Sequence, residues 1–138
     1  MARWLSLLTL VLCGWTAQAA AQEALPIGKV LEDPKSYHAH EVVLHGQVHD
    51  IAQLPPYRTT RSLCWGSYTF TLQDDTGSIP VFVQGACSLN TMNPDVKPRQ
   101  VAEGEEVSFQ ASIFVGEYGG GYYNPDGKVM AINKEFLK

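Results

Sequence analysis

Cys64 and Cys87 lie at equal distances from the turn Asp74-Asp75-Thr76-Gly77, and this symmetry constrains the chain more than any other feature. Folding at the turn pairs residues whose numbers sum to 151: Leu72 with Ile79, Phe70 with Val81, Tyr68 with Val83, Gly66 with Gly85 and Cys64 with Cys87. Apolar residues then meet apolar residues on one face, as in an antiparallel hairpin with one buried side. A register one residue away sets Leu72 against Pro80 and Phe70 against Phe82, which mixes the faces. Directly opposed strand residues lie about 4.5–5.5 Å apart at Cα, within disulfide range. A bridge here is worth on the order of 3 kcal/mol, mainly through the unfolded chain. A redox-active pair is the weaker reading, because such cysteines sit close together at a helix start and these are 23 positions apart.

The compartment decides whether the bridge forms. Met1-Ala2-Arg3 is a short basic start, Trp4 to Trp15 is a leucine-rich apolar run, and Ala17-Gln18-Ala19 has the small-x-small pattern of a cleavage site, with Ala19-Ala20-Ala21 as a second option. The run is too short to anchor in a bilayer, so residues 1–21 are expected to be a secretory signal peptide, cut after Ala19 or Ala21. Cleavage removes Cys13 and leaves one cysteine pair, which in a secreted protein is expected to be oxidised. Lipoprotein processing at Cys13 is disfavoured because Leu12 stands where a small residue is required.

Residues 22–138 are then a single domain of about 117–119 residues, enough for a modest core. Without Arg3, 9 basic side chains face 14 acidic ones, a formal charge of −5. This acidity speaks against a nucleic-acid partner, which requires a basic stripe.

The periodicity is that of strands, after a short helix from Ile27 to Lys35 that stops near Pro34. From Glu41 to Asp50, Val42, Leu44, Gly46 and Val48 alternate with Val43, His45, Gln47 and His49. Leu54 to Arg61 reads as a loop, since Pro55-Pro56 deny a ladder its donors. The cysteine-closed hairpin supplies strands two and three. Ser88 to Ala102, with Pro94 and Pro98, shows little periodicity. Val107, Phe109, Ala111, Ile113 and Val115 mark strand four, Tyr118 to Gly127 a glycine and aromatic loop, and Lys128 to Asn133 strand five. Five such strands point to an all-β, small closed barrel rather than a sandwich.

Three phrases then carry a resemblance: Val43-Leu44-His45-Gly46-Gln47-Val48, Tyr68 to Val81, and Val101 to Val107. They resemble the "V-x-G-x-V", "Y-x-F-x-L-x-D-x-T-G-x-I-x-V" and "G-D-x-V" pattern of small secreted bacterial OB-fold proteins, a group that includes bacterial OB-fold stress proteins and tRNA-anticodon-like domains. The resemblance spans roughly residues 27–136 and implies a five-stranded OB-fold barrel behind a short N-terminal helix. It says little about ligand, because the fold hosts many. The long proline-bearing first loop, the cysteine-closed hairpin and the lack of a clear helix between strands three and four depart from it.

An OB-fold generally binds on the outer face of strands two and three and on the loops that flank it. The hairpin register puts Trp65, Ser67, Thr69, Thr71, Phe82 and Gln84 on that face; Tyr57, Arg58 and Arg61 fall in one flanking loop, and Tyr118, Tyr122 and Tyr123 in the other. Aromatics beside arginines can stack on sugars, bases or a partner's side chains. The competing reading is that Trp65 and Phe82 merely cover a barrel end. The sequence thus leads to a secreted or periplasmic, non-enzymatic binding module without a cofactor, for a small ligand, an oligosaccharide or an envelope protein. A subunit of an envelope complex, its outer face buried against a partner, is a related reading.

The alternative is a metal- or haem-handling accessory protein using the histidine-rich region His38, His40, His45 and His49. His45 and His49 on one strand are roughly 13 Å apart, too far for one ion. His38 and His40 could share one only in an extended segment, with no evident third ligand. The periplasmic haem chaperone of cytochrome c maturation also resembles an OB-barrel, but its haem-linking histidine lies in a tail beyond the barrel. No histidine follows His49 here. Asp75-Thr76-Gly77 spells the aspartic-protease triplet, but Gln73-Asp74 precede it where that site requires an apolar strand, and the turn accounts for the glycine and the acid.

Overall fold

The computed structural model describes residues 22–89, 93, 95–116 and 128–138. The expected signal peptide and the loop tyrosines Tyr118, Tyr122 and Tyr123 lie outside the described residues.

Two short helices come first, α1 (Ile27–Glu32) and α2 (Pro34–Tyr37). Pro34 does not end a helix here but starts the second, at a position where its missing N–H leaves no bond unmade. The strands follow as β1 (Glu41–Gln53), β2 (Tyr57–Arg58), β3 (Leu63–Trp65), β4 (Tyr68–Asp74), β5 (Gly77–Val83), β6 (Ala86–Ser88), β7 (Glu106–Val115) and β8 (Val129–Phe136). Five of them close a barrel in the order β1-β4-β5-β8-β7, and β2-β3-β6 form a separate small sheet. All barrel pairings are antiparallel except β5 with β8, which is parallel.

The hairpin has the register that its apolar pattern predicts. Leu72 faces Ile79, Phe70 faces Val81 and Tyr68 faces Val83, and the same spacing continues through Trp65 with Ala86 and Cys64 with Cys87. The ladder is interrupted between the two sheets. Gly66 takes a positive φ of 75°, and the Ser67 hydroxyl replaces a ladder partner by accepting the Gly85 N–H at 2.8 Å. The chain packs so closely there that a Cβ on Gly85 would lie 1.9 Å from the Trp65 carbonyl oxygen.

The barrel interior is apolar throughout. Leu44, Val48, Phe70, Leu72, Ile79, Val81, Phe109 and Ile113 are buried in one cluster, with Phe109 ring-to-ring against both Phe70 and Phe136. One end is plugged by α1, whose Ile27 and Val30 belong to that cluster. The irregular segment before β7 is tied to β1, with Gly104 N–H donating to Val48 O at 2.7 Å and Val48 N–H to Glu105 O at 2.9 Å. The sequence pattern shows no helix between strands three and four, and within the described part of that segment none forms.

Candidate functional site

The proline-bearing loop after β1 is partly a hairpin. Pro55 and Pro56 cannot donate, but the two residues after them can, and Tyr57 pairs with Cys64 while Arg58 pairs with Leu63. Thr59 ties the bend: its Oγ1 accepts the N–H groups of Ser62 at 2.9 Å and Arg61 at 3.3 Å. The expectation of a loop from Leu54 to Arg61 is therefore corrected at Tyr57–Arg58, where backbone donors resume.

Cys64 and Cys87 are bonded, with Cα atoms 4.1 Å apart. The bridge joins the central strand β3 to the edge strand β6 and so fixes the small sheet as an arm continuing the β4–β5 hairpin. Arg58 and Arg61 are exposed on this arm, with Tyr57 half-buried beside them. Leu89, just past β6, is 69% exposed.

The open aromatic platform expected on the outer face of the hairpin is absent. Trp65 is 6% exposed and Phe82 is 3% exposed. Trp65 is covered because the segment before β7 crosses it: the indole Nε1–H donates to Val96 O at 3.0 Å. Phe82 does point out of the barrel, yet it belongs to a second apolar cluster with Met130 and Ile132, joined by Leu54 and Phe114. Alternation along β5 gave the direction of the side chain correctly. It could not show that β8 places Ile132 directly alongside Phe82. Ser67 is also buried, and of the expected face only Thr69, Thr71 and Gln84 keep appreciable exposure.

The histidines are dispersed. His38 Nδ1 accepts the Val115 N–H at 3.1 Å, and its ring meets Phe114 edge-on. His45 lies 2.8 Å from the Ser108 hydroxyl and 3.0 Å from Glu106, while His49 lies 3.3 Å from Glu103. His40 is exposed. Among the described residues no three metal-ligating side chains gather.

The turn residue that matters is Asp74 rather than Asp75. Its Oδ1 accepts the Thr76 N–H at 2.7 Å, the Thr76 hydroxyl at 2.6 Å and the Gly77 N–H at 3.0 Å. Its Oδ2 accepts the Ile27 N–H at 2.8 Å, which caps α1 from another element. Burial pushes the Asp74 carboxyl up, but these donated bonds outweigh it and hold the group below its ordinary value. At the far barrel end, burial raises the Tyr68 phenol to about 12, the nearby Arg99 and Glu105 acting in opposite directions.

No protein-family model matches the chain, and no curated protein sequence matches it either. Among solved structures, an aspartyl-tRNA synthetase from Leishmania major Friedlin superposes on 88% of this chain with 13% identity and a TM-score of 0.53. The match takes in only 21% of the synthetase. OBody AM3L09 bound to hen egg-white lysozyme aligns with 74% of this chain and 83% of its own, at 13% identity and a TM-score of 0.45. OBody AM2EP06 bound to hen egg-white lysozyme aligns with 74% and 82%, at 14% identity and 0.45. The barrel closure, the strand order and the synthetase likeness together define an OB-fold.

Proposed function

We propose that the protein is a secreted or periplasmic, non-enzymatic OB-fold binding module, holding a ligand or an envelope protein at the arm beside strands β4 and β5. The observation that carries this reading is the arm itself. A disulfide-closed small sheet carries Tyr57 and Arg58, and a Thr59-tied bend carries Arg61, instead of a loose loop. Ordering these side chains in advance lowers the entropy cost of binding, and two exposed guanidinium groups recognise carboxylates, sugars or aromatic faces.

Two further features support the reading. A disulfide is in keeping with an oxidising compartment. The one enzyme-like triplet, Asp75-Thr76-Gly77, is used by the turn, with the Thr76 hydroxyl and the Gly77 N–H both given to Asp74. The metal-handling alternative gains nothing from the structure, since His38, His45 and His49 each face a separate partner.

Cross-linking capture from an envelope extract tests the face. Wild-type protein should retain a partner that the Arg58→Ala/Arg61→Ala double variant loses; equal retention by both rejects the arm. N-terminal sequencing of the exported protein should find a start at Ala20 or Gln22, and an intact Met1 start would reject secretion.

A further inference from the structure

Charge is distributed unevenly along the chain. The stretches from Ile51 to Gln73 and from Thr76 to Pro94 hold no aspartate or glutamate, although the whole chain has 14 acidic against 10 basic side chains. The small sheet β2-β3-β6 falls within these stretches, so the only charges of the arm are Arg58, in β2, and Arg61, in the bend that follows. Both are exposed. Lys29, His45, His49 and Arg99 each face a glutamate; Arg58 and Arg61 face no carboxylate among the described residues.

The bend gives these two charges defined places. Thr59 N–H donates to Ser62 O at 2.8 Å, which continues the pairing of Arg58 with Leu63 and leaves only Thr60 and Arg61 to turn the chain. Arg61 is therefore at the tip of a tight hairpin, and Arg58 is on its strand. Leu63 lies opposite both Arg58 and Ser88, so these three form one row across the sheet. Trp65, two positions on from Leu63, shares that face. The segment that crosses Trp65 brings Lys97 beside the sheet, its stem close to Gly66. Lys97 is exposed and also faces no carboxylate among the described residues. One acid, Asp95, stands in that segment, so the excess of positive charge remains.

We infer that the partner of the arm is a short acidic segment of a protein, an assignment that rests on the arm being the binding surface. Its carboxylates meet Arg58 and Arg61, with Lys97 adding to the same field, and an apolar residue of the segment lies over the half-buried Leu63. A guanidinium takes a carboxylate through two parallel N–H donors. A three-stranded sheet lacks the concavity that holds a small ligand, but it gives an extended segment a ledge. A nucleic acid or an anionic bilayer suits the arm less. Either would reach beyond these three positive charges and over a chain whose formal net charge is −4. Exposed charges are screened within about 8 Å at physiological ionic strength. A short segment on the arm thus senses the arginines and not the acidic barrel.

The test uses the purified, disulfide-bonded protein and a fluorescent peptide of alternating glutamate and leucine. Alternating glutamine and leucine is its uncharged control, and a thymidine oligonucleotide is the competing polyanion. Fluorescence anisotropy should show saturable binding of the acidic peptide, weakened by added salt, and no binding of the control. Arg58→Gln/Arg61→Gln should weaken it at least tenfold and Lys97→Gln by a smaller factor, whereas Lys35→Gln, on α2, should leave it unchanged. The acidic assignment is overturned if the acidic peptide binds no better than its control, if Lys35→Gln costs as much as the arginine pair, or if the oligonucleotide binds more tightly than the peptide. Capture from the envelope extract separates the two levels. An arm-dependent partner without peptide binding leaves the arm as a binding surface for a partner that is not acidic, whereas loss of both rejects the arm itself.

Discussion

The amide of Ile27 donates to the carboxylate of Asp74 at 2.8 Å, joining the first turn of α1 to the hairpin turn 47 residues away. The residue before the helix is Pro26, which provides no side-chain cap. The cap comes instead from the barrel, and Thr76 Oγ1 accepts the next amide, that of Gly28, at 2.8 Å. One carboxylate thus shapes the turn and seats the helix that closes the barrel end.

Asp74→Asn should lower stability by about 1–2 kcal/mol at neutral pH, in line with the loss of a helix cap and a charge-assisted turn. The pH dependence has a definite sign. The folded carboxyl lies below its ordinary 3.8, so its contribution is complete above that value and declines as pH falls through the folded pKa. Urea midpoints of wild type and variant, measured from pH 7 down to pH 2, should converge at the acid end. A gap that stays constant with pH would assign the loss to packing alone.

Tyr68 gives the opposite limb. Its phenol donates to the Arg99 carbonyl and is raised to about 12 by burial. The unfolded phenol titrates near 10, so stability is complete below about pH 10 and is lost as pH rises toward the folded value. Tyr68→Phe should remove this alkaline slope and, at pH 7, cost about 1–2 kcal/mol for the stranded carbonyl. Thermal melts between pH 8 and pH 11.5 decide the point.

The disulfide can be removed without touching the barrel core. A Cys64→Ser/Cys87→Ser variant should lose about 3 kcal/mol, the amount a loop of this length contributes, and keep its far-ultraviolet dichroism. Thiol titration of denatured wild type should rise by two groups after reduction; an unchanged count would mean that the bridge is not formed.

Gly85→Ala tests the junction between the sheets. The new methyl would lie 1.9 Å from the Trp65 carbonyl oxygen and 2.6 Å from the Ser67 nitrogen, both backbone atoms that cannot step aside cheaply. We expect a loss of more than about 2 kcal/mol, at the upper end of overpacking costs, with a red-shifted Trp65 emission as the indole is exposed. Wild-type stability in this variant would show that the strands can separate there without cost.

Much of the fold was legible in the chain because it rests on short-range alternation. The hairpin register, the bonded cysteines, the buried side of β1 and the closed five-strand barrel all follow from a period of two and one turn. The candidate site was less legible. Alternation assigns a side chain to a face but does not say what packs on that face, so Phe82 pointed outward and still lay under Met130 and Ile132. Trp65 met the Val96 carbonyl from 31 residues away, and no local signal announces such a contact. The pairing of Tyr57 and Arg58 was hidden by the two prolines before them.

The sequence by itself determined the register through Leu72, Phe70, Tyr68 and Cys64, because a slip of one residue exposes every apolar partner at once. Tertiary structure alone gave the acid of the turn its second task. Asp74 collects the local bonds of the turn from Thr76 and Gly77, and the arrival of Ile27 adds the helix cap. It also decided what remains at the surface, closing Trp65 and Phe82 in and leaving Arg58 and Arg61 exposed. The physical reason is common to both: burial and hydrogen-bond satisfaction depend on elements distant in sequence, whereas strand periodicity depends only on neighbours.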